Sequence, residues 1–369
     1  MQSRSQHPRV RDPMTIDQLV IGAAPGDAVT SMALKVRDVL RATGKSELYG
    51  LHIDPELHGN VRSAEALAPG TPDDLLVYHA SFGEPRITEI LSRTLRRLVI
   101  CYHNITPAEF FERDYPLFAE GLRWGRTELA MLRPRVVASF ADSHFNAAEL
   151  VDMGYAGVEV LAAGLEPARL MPHSTATMPR AAVLALQGRD FVVAVAQQVP
   201  HKRLDVIIEA VHLVQSVHHR ELGLVIVGAD RFPLYSAALR ELGRRLQVRS
   251  LWFAGAVPDA ILAAIMRSAR AFVSASEHEG LGVPPLEAMV FDVPVLARAI
   301  AAVPETVGAA GLLLPADAGP EMFAEGLVCV AYNETVRREL TTRGRQRIRD
   351  LGEIDATANL VAKLQKLAS

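Results

Sequence analysis

The sequence predicts an α/β protein made of two doubly wound domains that face each other across a cleft. Short apolar runs rich in β-forming residues alternate with longer helical patterns along most of the chain, as in βαβ units. The alternation lapses once, over 166–190, in a stretch rich in proline, serine and threonine. The chain has 369 residues, more than one hydrophobic core usually holds. Two parallel sheets therefore follow, with a ligand cleft between their carboxyl ends.

The elements of the first half follow from the spacing of apolar residues. Helices are predicted where apolar residues recur every three or four positions, and strands where short apolar runs separate those helices. The predicted strands are 19–22, 48–53, 75–79, 98–103, 136–140 and 158–161, and the predicted helices are 28–41, 85–94, 115–132 and 145–153. The first 18 residues are polar and lack the apolar core of a secretory signal, so we expect a loose tail there.

A second series of strands and helices follows the lapse. Its predicted strands are 191–196, 223–227, 251–254, 271–274 and 294–297, and its predicted helices are 204–217, 234–246, 259–267 and 286–291. The last 50 residues are helical in character. We therefore expect a first domain over 1–170, a linker over 171–190, a second domain over 191–350, and a terminal helix over 351–369 that could pack back on the first domain.

Composition excludes several classes of protein. Hydrophobic residues make up 49% and charged residues 22%, the balance of a folded globular chain rather than a disordered one. The net charge of -3 gives no global support for nucleic-acid binding. Cys101 and Cys329 lie far apart in apolar surroundings, so we expect no disulfide, no cysteine metal site and a cytoplasmic location. No stretch reaches the roughly 18 apolar residues that span a bilayer.

The segment SEHEGLGVPPLEAM, residues 276–289, carries the strongest chemical signal. It follows a predicted strand and opens a predicted helix, whose amino terminus is a natural seat for phosphate. Gly280 and Gly282 would let backbone N–H groups approach a ligand closely. Glu279 and Glu287 could face one ligand, and carboxylates accept hydrogen bonds from ribose and hexose hydroxyls. The alternative is a loop glutamate that is merely solvated.

This segment resembles the E-x7-E signature of family-4 retaining glycosyltransferases of the GT-B architecture. Glu279 and Glu287 match the two glutamates of that signature, and Leu281 stands where phenylalanine is usual. The resemblance spans roughly 191–315, with further matches at 292–296, 303–308 and 311–314. It implies two Rossmann-like domains and, on the second of them, a nucleotide-sugar site that includes Gly280 and Gly282.

A second match lies just after the first strand of the second domain. The segment VAQQVPHK, residues 195–202, resembles the family pattern Val-Gly-Arg-Leu-x-Pro-x-Lys. Lys202 matches the phosphate-binding lysine, whereas Gln197 replaces the arginine that often contacts the diphosphate. Because glutamine carries no charge, Lys202 and the helix amino terminus would hold more of the diphosphate. By the same resemblance, the backbone up to Val257 would contact the nucleobase. Without the family resemblance, Lys202 would be interpreted as a solvated lysine at the start of a helix.

The first domain offers weaker signals. His103 ends a predicted strand, is followed by asparagine, and resembles the family histidine that contacts the transferred sugar. The alternative is a structural histidine. His79 could line the acceptor side, as could Gly26 in a glycine-containing loop, although a plain turn explains Gly26 equally well. Ser143 is expected to cap the next helix.

Basic side chains cluster on or just after the helix predicted over 85–94. They are Arg86, Arg93, Arg96 and Arg97. Some relatives in the family dock on anionic membranes through such a surface, so the resemblance implies a peripheral membrane contact. The alternative, a solvated charged face, stays open.

The resemblance implies a metal-independent transferase that moves a hexose from a nucleotide-diphosphate sugar to a glycan or lipid-linked saccharide. The residues of these motifs resemble those of bacterial polysaccharide mannosyl- and rhamnosyl-type transferases. This resemblance favours a GDP-sugar such as GDP-mannose as the donor. Glu287 would hold ribose, Lys202 the diphosphate, and Glu279 the hexose, with His103 reaching across. No Asp-x-Asp motif occurs, so we expect no metal and no other cofactor. The alternatives are a UDP-sugar-dependent enzyme acting on a small molecule, an epimerase of the same architecture, and a non-catalytic nucleotide-sugar-binding protein.

Overall fold

The computed structural model describes residues 14–161, 170–171, 173, 175–218, 220–352 and 355–368. Within those residues the chain forms two parallel sheets, one of seven strands and one of six. Helices pack on the sheets, because all the strand pairs are parallel and most connections between consecutive strands contain a helix. The predicted α/β class is confirmed.

The first sheet has the strand order β3-β2-β1-β4-β5-β6-β7. Its elements are β1 (Ile16–Ala23), α1 (Ala28–Arg41), β2 (Leu48–Ile53), β3 (Arg62–Ser63), β4 (Leu75–Ala80), α2 (Pro85–Arg93), β5 (Arg97–Tyr102), α3 (Pro116–Leu132), β6 (Val136–Ala141), α4 (His144–Asp152) and β7 (Glu159–Val160). The strand order reverses between β1 and β4, so the carboxyl ends of those strands border a crevice.

The second sheet has the strand order β10-β9-β8-β11-β12-β13. Its elements are α5 (Arg180–Leu186), β8 (Phe191–Val195), α6 (Leu204–Ser216), β9 (Gly223–Val227), α7 (Pro233–Arg245), β10 (Leu251–Gly255), α8 (Asp259–Ser268), β11 (Ala271–Ser274), α9 (Val283–Val290), β12 (Val295–Arg298), α10 (Val303–Val307), β13 (Gly311–Leu314), α11 (Pro320–Tyr332) and α12 (Glu334–Gly352). Here the order reverses between β8 and β11.

The predicted amino-terminal tail is wrong at its carboxyl end, since β1 already begins at Ile16. Asp17 and Gln18 belong to this strand and are buried. Arg96 Nη1 donates to Asp17 Oδ2 at 2.6 Å, and Gln18 Nε2 donates to Ala33 O at 2.9 Å. The polarity of these residues suggested exposure, but each has a partner inside the core. Residues 1–13 lie outside the described residues.

The predicted linker contains a helix, α5, that belongs to the second core. Ala182 and Leu186 are buried, and Leu186 packs in one apolar cluster with Phe191 and Val193 of β8. The prolines and small residues of this stretch masked a short helix with one apolar face. Residues 162–169, 172 and 174 of the predicted boundary lie outside the described residues.

The terminal helix α13 (Ala356–Ala368) lies against the first sheet. Its buried residues Leu360, Val361 and Leu364 pack with Val36 and Leu40 of α1 in one apolar cluster. Each buried leucine contributes on the order of 2 kcal/mol to such a contact. The chain thus returns to its first half after completing the second sheet.

The four arginines of the predicted basic cluster do not form one open surface. Arg96 is buried against Asp17, and the other three are also engaged by protein groups. Their partners are Glu65 for Arg86, Glu89 for Arg93, and the carbonyl oxygen of Leu367 for Arg97. Neighbouring carboxylates therefore offset most of the charge that the sequence suggested. No helix of the described residues is long and apolar enough to cross a bilayer.

Candidate active site

The loop after β11 and the start of α9 form the glycine-rich turn expected from the sequence. Gly282 lies just before the helix with a φ of +86°, a conformation that favours glycine, and Pro284 falls in the first turn. Since α9 follows β11, this helix end lies by the crevice between β8 and β11. Pro284 and Pro285 carry no N–H, so the backbone donors here are those of the glycine-rich turn and of Val283. Glu287 lies in the second turn and is only 2% exposed.

Lys202 and Glu279 meet at this crevice. Lys202 Nζ donates to Glu279 Oε1 at 2.7 Å, and the two side chains are 17% and 19% exposed. Lys202 belongs to the turn after β8, whereas Glu279 belongs to the loop after β11. Because β8 and β11 are neighbouring strands, the two loops lie side by side. The structure therefore brings together two residues that are 77 positions apart in sequence.

A second ion pair joins the same two loops. Arg203 donates to Glu277 of the β11 loop and to both carboxylate oxygens of Asp205. Burial lowers the pKa of Arg203, but Asp205 and Glu277 outweigh that effect and raise it overall. Sequence reasoning missed this pair because its members follow no spacing pattern. It fixes the two loops that carry Lys202 and Glu279.

Gln197 is exposed at the end of β8, where the resemblance placed a diphosphate contact. Gln198 instead points inward and donates to Gly228 O at 3.3 Å. Gly228 is pressed against the same turn, since a Cβ there would lie 1.9 Å from Ala196 O. Only glycine permits this approach of β9 to β8, which leaves the Gln197 side chain free to face solvent at the crevice.

Val257 follows β10 at the same edge of the sheet. Gly255 ends the strand with a φ of +70°, and the β10–β9 register shifts between Phe253 and Gly255. This bulge turns the chain so that Val257 packs partly buried against the second core. The backbone between Gly255 and Val257 therefore lies at the carboxyl edge of the sheet, as the sequence suggested.

On the other side of the crevice, His103 lies in a chain of hydrogen bonds. Its Nδ1 is 2.8 Å from Asp142 Oδ2, and its Nε2 is 2.9 Å from His79 Nδ1. His79 Nε2 in turn lies 2.9 Å from Gln18 Oε1. His79 is fully buried, and this burial lowers its pKa well below the ordinary range. His79 therefore contacts His103 rather than an open acceptor surface.

Ser143 caps α4, as predicted, and also reaches the second half of the chain. Its Oγ accepts from Asn146 N at 3.1 Å and donates to Gly280 O at 2.7 Å. Gly280 is thus held against the first half through its backbone. A side chain at Gly280 would collide with Asn104, because its Cβ would lie 2.5 Å from Asn104 Cβ. Glycine is needed here for a close approach of the two halves.

Glu305 of α10 also caps α4, although α10 belongs to the second half of the chain. Its carboxylate accepts from His144 N and Phe145 N, each at 3.0 Å. Burial raises the pKa of Glu305, but the two backbone hydrogen bonds and the His144 side chain outweigh burial and lower it. An anion at the amino terminus of a helix also interacts favourably with the helix dipole. The carboxylate therefore joins the two halves through one helix end.

Asn104 and His278 complete the contact between the halves. The left-handed φ of Asn104, +76°, turns its side chain toward Asn146 and Glu149, to which its Nδ2 donates. Asn104 Oδ1 must then accept from His278 Nε2 at 2.5 Å, which fixes the tautomer of His278. Burial lowers the pKa of His278, which favours the neutral form of its ring. Sequence reasoning missed the pair.

Residues 189–333 match the family of glycosyl transferases group 1. This segment of the chain belongs to the group 1 glycosyl transferases. A stretch of 61 residues is 46% identical to O-antigen chain mannosyltransferase B of Escherichia coli, and the match covers 16% of each chain. The matched family segment contains the turn after β8, the loop after β11 and all of α9.

Solved structures of low identity share the fold of this chain. HepE from Anabaena, solved in complex with UDP and glucose, is 16% identical, with 96% of this chain and 100% of HepE covered at a TM-score of 0.71. WaaG, a glycosyltransferase involved in lipopolysaccharide biosynthesis, is also 16% identical, with 96% and 98% covered at a TM-score of 0.68. The expected GT-B fold is confirmed.

Gly26 lies in the turn between β1 and α1. It is exposed, with a φ of +73°, and Asp27 after it caps α1 by accepting from Thr30 N at 2.8 Å. The Asp27 cap accounts for the conformation of this turn. Among the described residues, no three histidine, cysteine, aspartate or glutamate side chains are grouped as they would be around a metal ion.

Proposed function

We propose that this group 1 glycosyl transferase moves a hexose from a nucleotide-diphosphate sugar to an acceptor hydroxyl, with retention at the anomeric carbon. The observation that carries the proposal is the Lys202–Glu279 pair at the reversal point of the second sheet, facing the amino terminus of α9. A cation and helix N–H groups suit a diphosphate, and a carboxylate beside them suits sugar hydroxyls.

Each side chain has a distinct part in the proposed reaction. Lys202 and the backbone N–H groups of the glycine-rich turn before α9 hold the diphosphate, and Glu287 holds the ribose hydroxyls. Glu279 accepts hydrogen bonds from the hexose and stabilises positive charge at the anomeric carbon. A lysine ammonium has three donors, so Lys202 can bind a phosphate oxygen without releasing Glu279. The acceptor hydroxyl attacks on the side of the leaving group, and the departing phosphate oxygen takes its proton.

The donor we propose is a GDP-sugar such as GDP-mannose. The stretch that is 46% identical to an O-antigen chain mannosyltransferase supports a mannosyl donor. A UDP-sugar is the second candidate, because HepE, of the same fold, was solved with UDP and glucose. Contacts to the base would come from backbone between Gly255 and Val257, which does not discriminate between the two.

The acceptor we propose is a glycan or lipid-linked saccharide, and the reaction belongs to polysaccharide biosynthesis. The same mannosyltransferase similarity supports this class of acceptor. We place the reaction in the cytoplasm, where the free thiols of Cys101 and Cys329 would stay reduced. A peripheral contact with an anionic membrane would bring a lipid-linked acceptor to the cleft.

Calorimetric titration with GDP, UDP, ADP and dTDP tests the proposal. We expect one nucleotide to bind, and the Glu287→Ala variant to lose that binding. Binding of GDP supports the mannosyl donor, and binding of UDP selects the second candidate. If none of the four binds, the proposed donor site is wrong. Binding without donor hydrolysis or transfer would instead indicate a non-catalytic nucleotide-sugar-binding protein.

A further inference from the structure

Four hydrogen bonds in the first half form a chain that ends on an acceptor at each side. One end is the backbone carbonyl of Ala33, which Gln18 Nε2 reaches at 2.9 Å. The other end is the carboxylate of Asp142. A carbonyl oxygen cannot donate, so the Gln18 amide must place its NH2 group toward Ala33 and its oxygen toward His79.

The number of protons in this chain follows from its ends. Gln18 Oε1 can only accept, so His79 Nε2 must carry a proton and donate it. The bond between His79 Nδ1 and His103 Nε2 needs a second proton, and the bond between His103 Nδ1 and Asp142 needs a third. Two neutral histidines and an ionised aspartate supply only two. The chain therefore holds one additional proton.

Burial and charge decide where the additional proton rests. His79 is fully buried and has no carboxylate beside it, and burial lowers its pKa well below the ordinary range. An imidazole is ordinarily a stronger base than a carboxylate, which disfavours Asp142 as the carrier. His103 touches the carboxylate directly, at 2.8 Å, so a positive charge is stabilised there.

We infer that His103 is held as an imidazolium by this chain, with Gln18 and His79 as positioning residues that fix its charge and orientation. Both N–H groups of His103 are then committed to protein acceptors, and the side chain is 4% exposed. A sugar oxygen in the cleft would meet polarised C–H groups of the ring instead of an N–H. The inference deepens the proposed function, because the fixed positive charge would favour the departing diphosphate.

Nitrogen-15 NMR of histidine-labelled protein at neutral pH tests the charge state directly and needs neither donor nor acceptor. We expect both ring nitrogens of His103 to show the shift of protonated nitrogen and a directly bound proton. A His103→Gln variant identifies the signals by their loss. A His103 with one protonated and one bare nitrogen would overturn the inference, whichever other group then carried the proton.

Two variants should remove the additional proton from opposite sides of the ring. In Asp142→Asn the new amide donates to His103 Nδ1, so that nitrogen should lose its proton while Nε2 keeps its own. In Gln18→Met the tautomer of His79 is no longer fixed, so His79 Nδ1 can donate and His103 Nε2 should become bare. Asp152→Asn, an exposed change on α4, should leave both signals unchanged. An imidazolium that survives both changes would contradict the inferred chain.

Turnover separates positioning from structural support. With the identified donor, Asp142→Asn should lower turnover at least about tenfold while the nucleotide Kd changes by less than about threefold. Unchanged turnover would overturn the role of the charge in the reaction. If the parent protein transfers nothing, the proposed function fails, whereas the nitrogen spectra still decide the charge on His103.

Discussion

Lys202 Nζ and Glu279 Oε1 lie 2.7 Å apart, so the two groups that we propose to meet a nucleotide sugar hold each other directly. Neither side chain is a flexible surface group, since each is about four-fifths buried. The Arg203–Glu277 pair beside them ties down the same two loops. These contacts fix the positions of both side chains, and a site fixed in this way has a lower ordering cost of binding.

Alanine substitutions at the two glutamates of the glycine-rich segment should affect different steps, one the turnover and the other nucleotide binding. Glu279→Ala should lower turnover at least about tenfold with nucleotide affinity largely kept, because its carboxylate acts on the sugar as charge develops. Glu287→Ala should mainly weaken nucleotide binding. Initial rates and calorimetry on both variants measure the contrast. Undiminished turnover in Glu279→Ala would remove the central assignment.

Gln197→Arg should tighten nucleotide-diphosphate binding by about three- to tenfold. The side chain at this position is exposed at the crevice, and an arginine would add a charge-assisted hydrogen bond to phosphate. Calorimetry at low and high salt measures the gain, which should shrink as salt rises. Equal affinity of the two proteins would mean that residue 197 does not reach the diphosphate.

Removal of divalent metal should leave transfer intact. The proposed mechanism stabilises the leaving diphosphate with Lys202 and backbone N–H groups, so it needs no metal. Initial rates before and after EDTA treatment, with magnesium added back as the control, test this. Loss of activity in EDTA and its return with magnesium would contradict the mechanism.

Glu305→Gln should destabilise the protein in a pH-dependent way. The folded pKa of Glu305 is lowered from its ordinary 4.5, so its contribution is full above that value and is lost as pH falls through the lowered one. We expect a loss of about 1 kcal/mol at pH 7, which shrinks progressively below pH 4.5. Urea unfolding at several pH values measures it. Glu120→Gln, an exposed change, serves as the control, and a pH-independent difference would contradict the prediction.

Gly228→Ala should lower the free energy of unfolding by at least about 2 kcal/mol. Its Cβ would lie 1.9 Å from Ala196 O, so the turn that carries Gln197 must move. Gly22→Ala is the matched control, since a Cβ there meets nothing within 4 Å. Urea unfolding compares the two. Similar stability in both variants would mean that the β8–β9 contact is looser than described.

Periodicity predicted most of the fold because most strands are continuous apolar runs. The helix α1 and the strands β2 and β9 begin and end where the sequence places them. The start of β1 was wrong because Asp17 and Gln18 find partners that lie far away in sequence. A local sequence pattern does not reveal partners that are distant in sequence.

The candidate site was predicted unevenly for the same reason. The glycine-rich turn and the Ser143 cap are formed by residues close together in sequence, so the local pattern predicts them. The Lys202–Glu279 contact and the Glu305 cap join distant segments, and only the folded chain shows them. Resemblance to a family pointed to Lys202 and Glu279 one by one, but not to their direct contact. The ion pairs of the arginine cluster were not predicted either, because charge alone does not reveal a neutralising partner.

The return of α13 to the first sheet sets the order in which the protein can be completed during synthesis. Residues of α13 share one apolar cluster with α1, although some 300 residues of chain separate them. While the ribosome makes the second half, the apolar surface of α1 and the first sheet lacks the helix that covers it. The cluster between α1 and α13 closes only once residues 356–368 have left the exit tunnel, so one part of the first core is among the last to form.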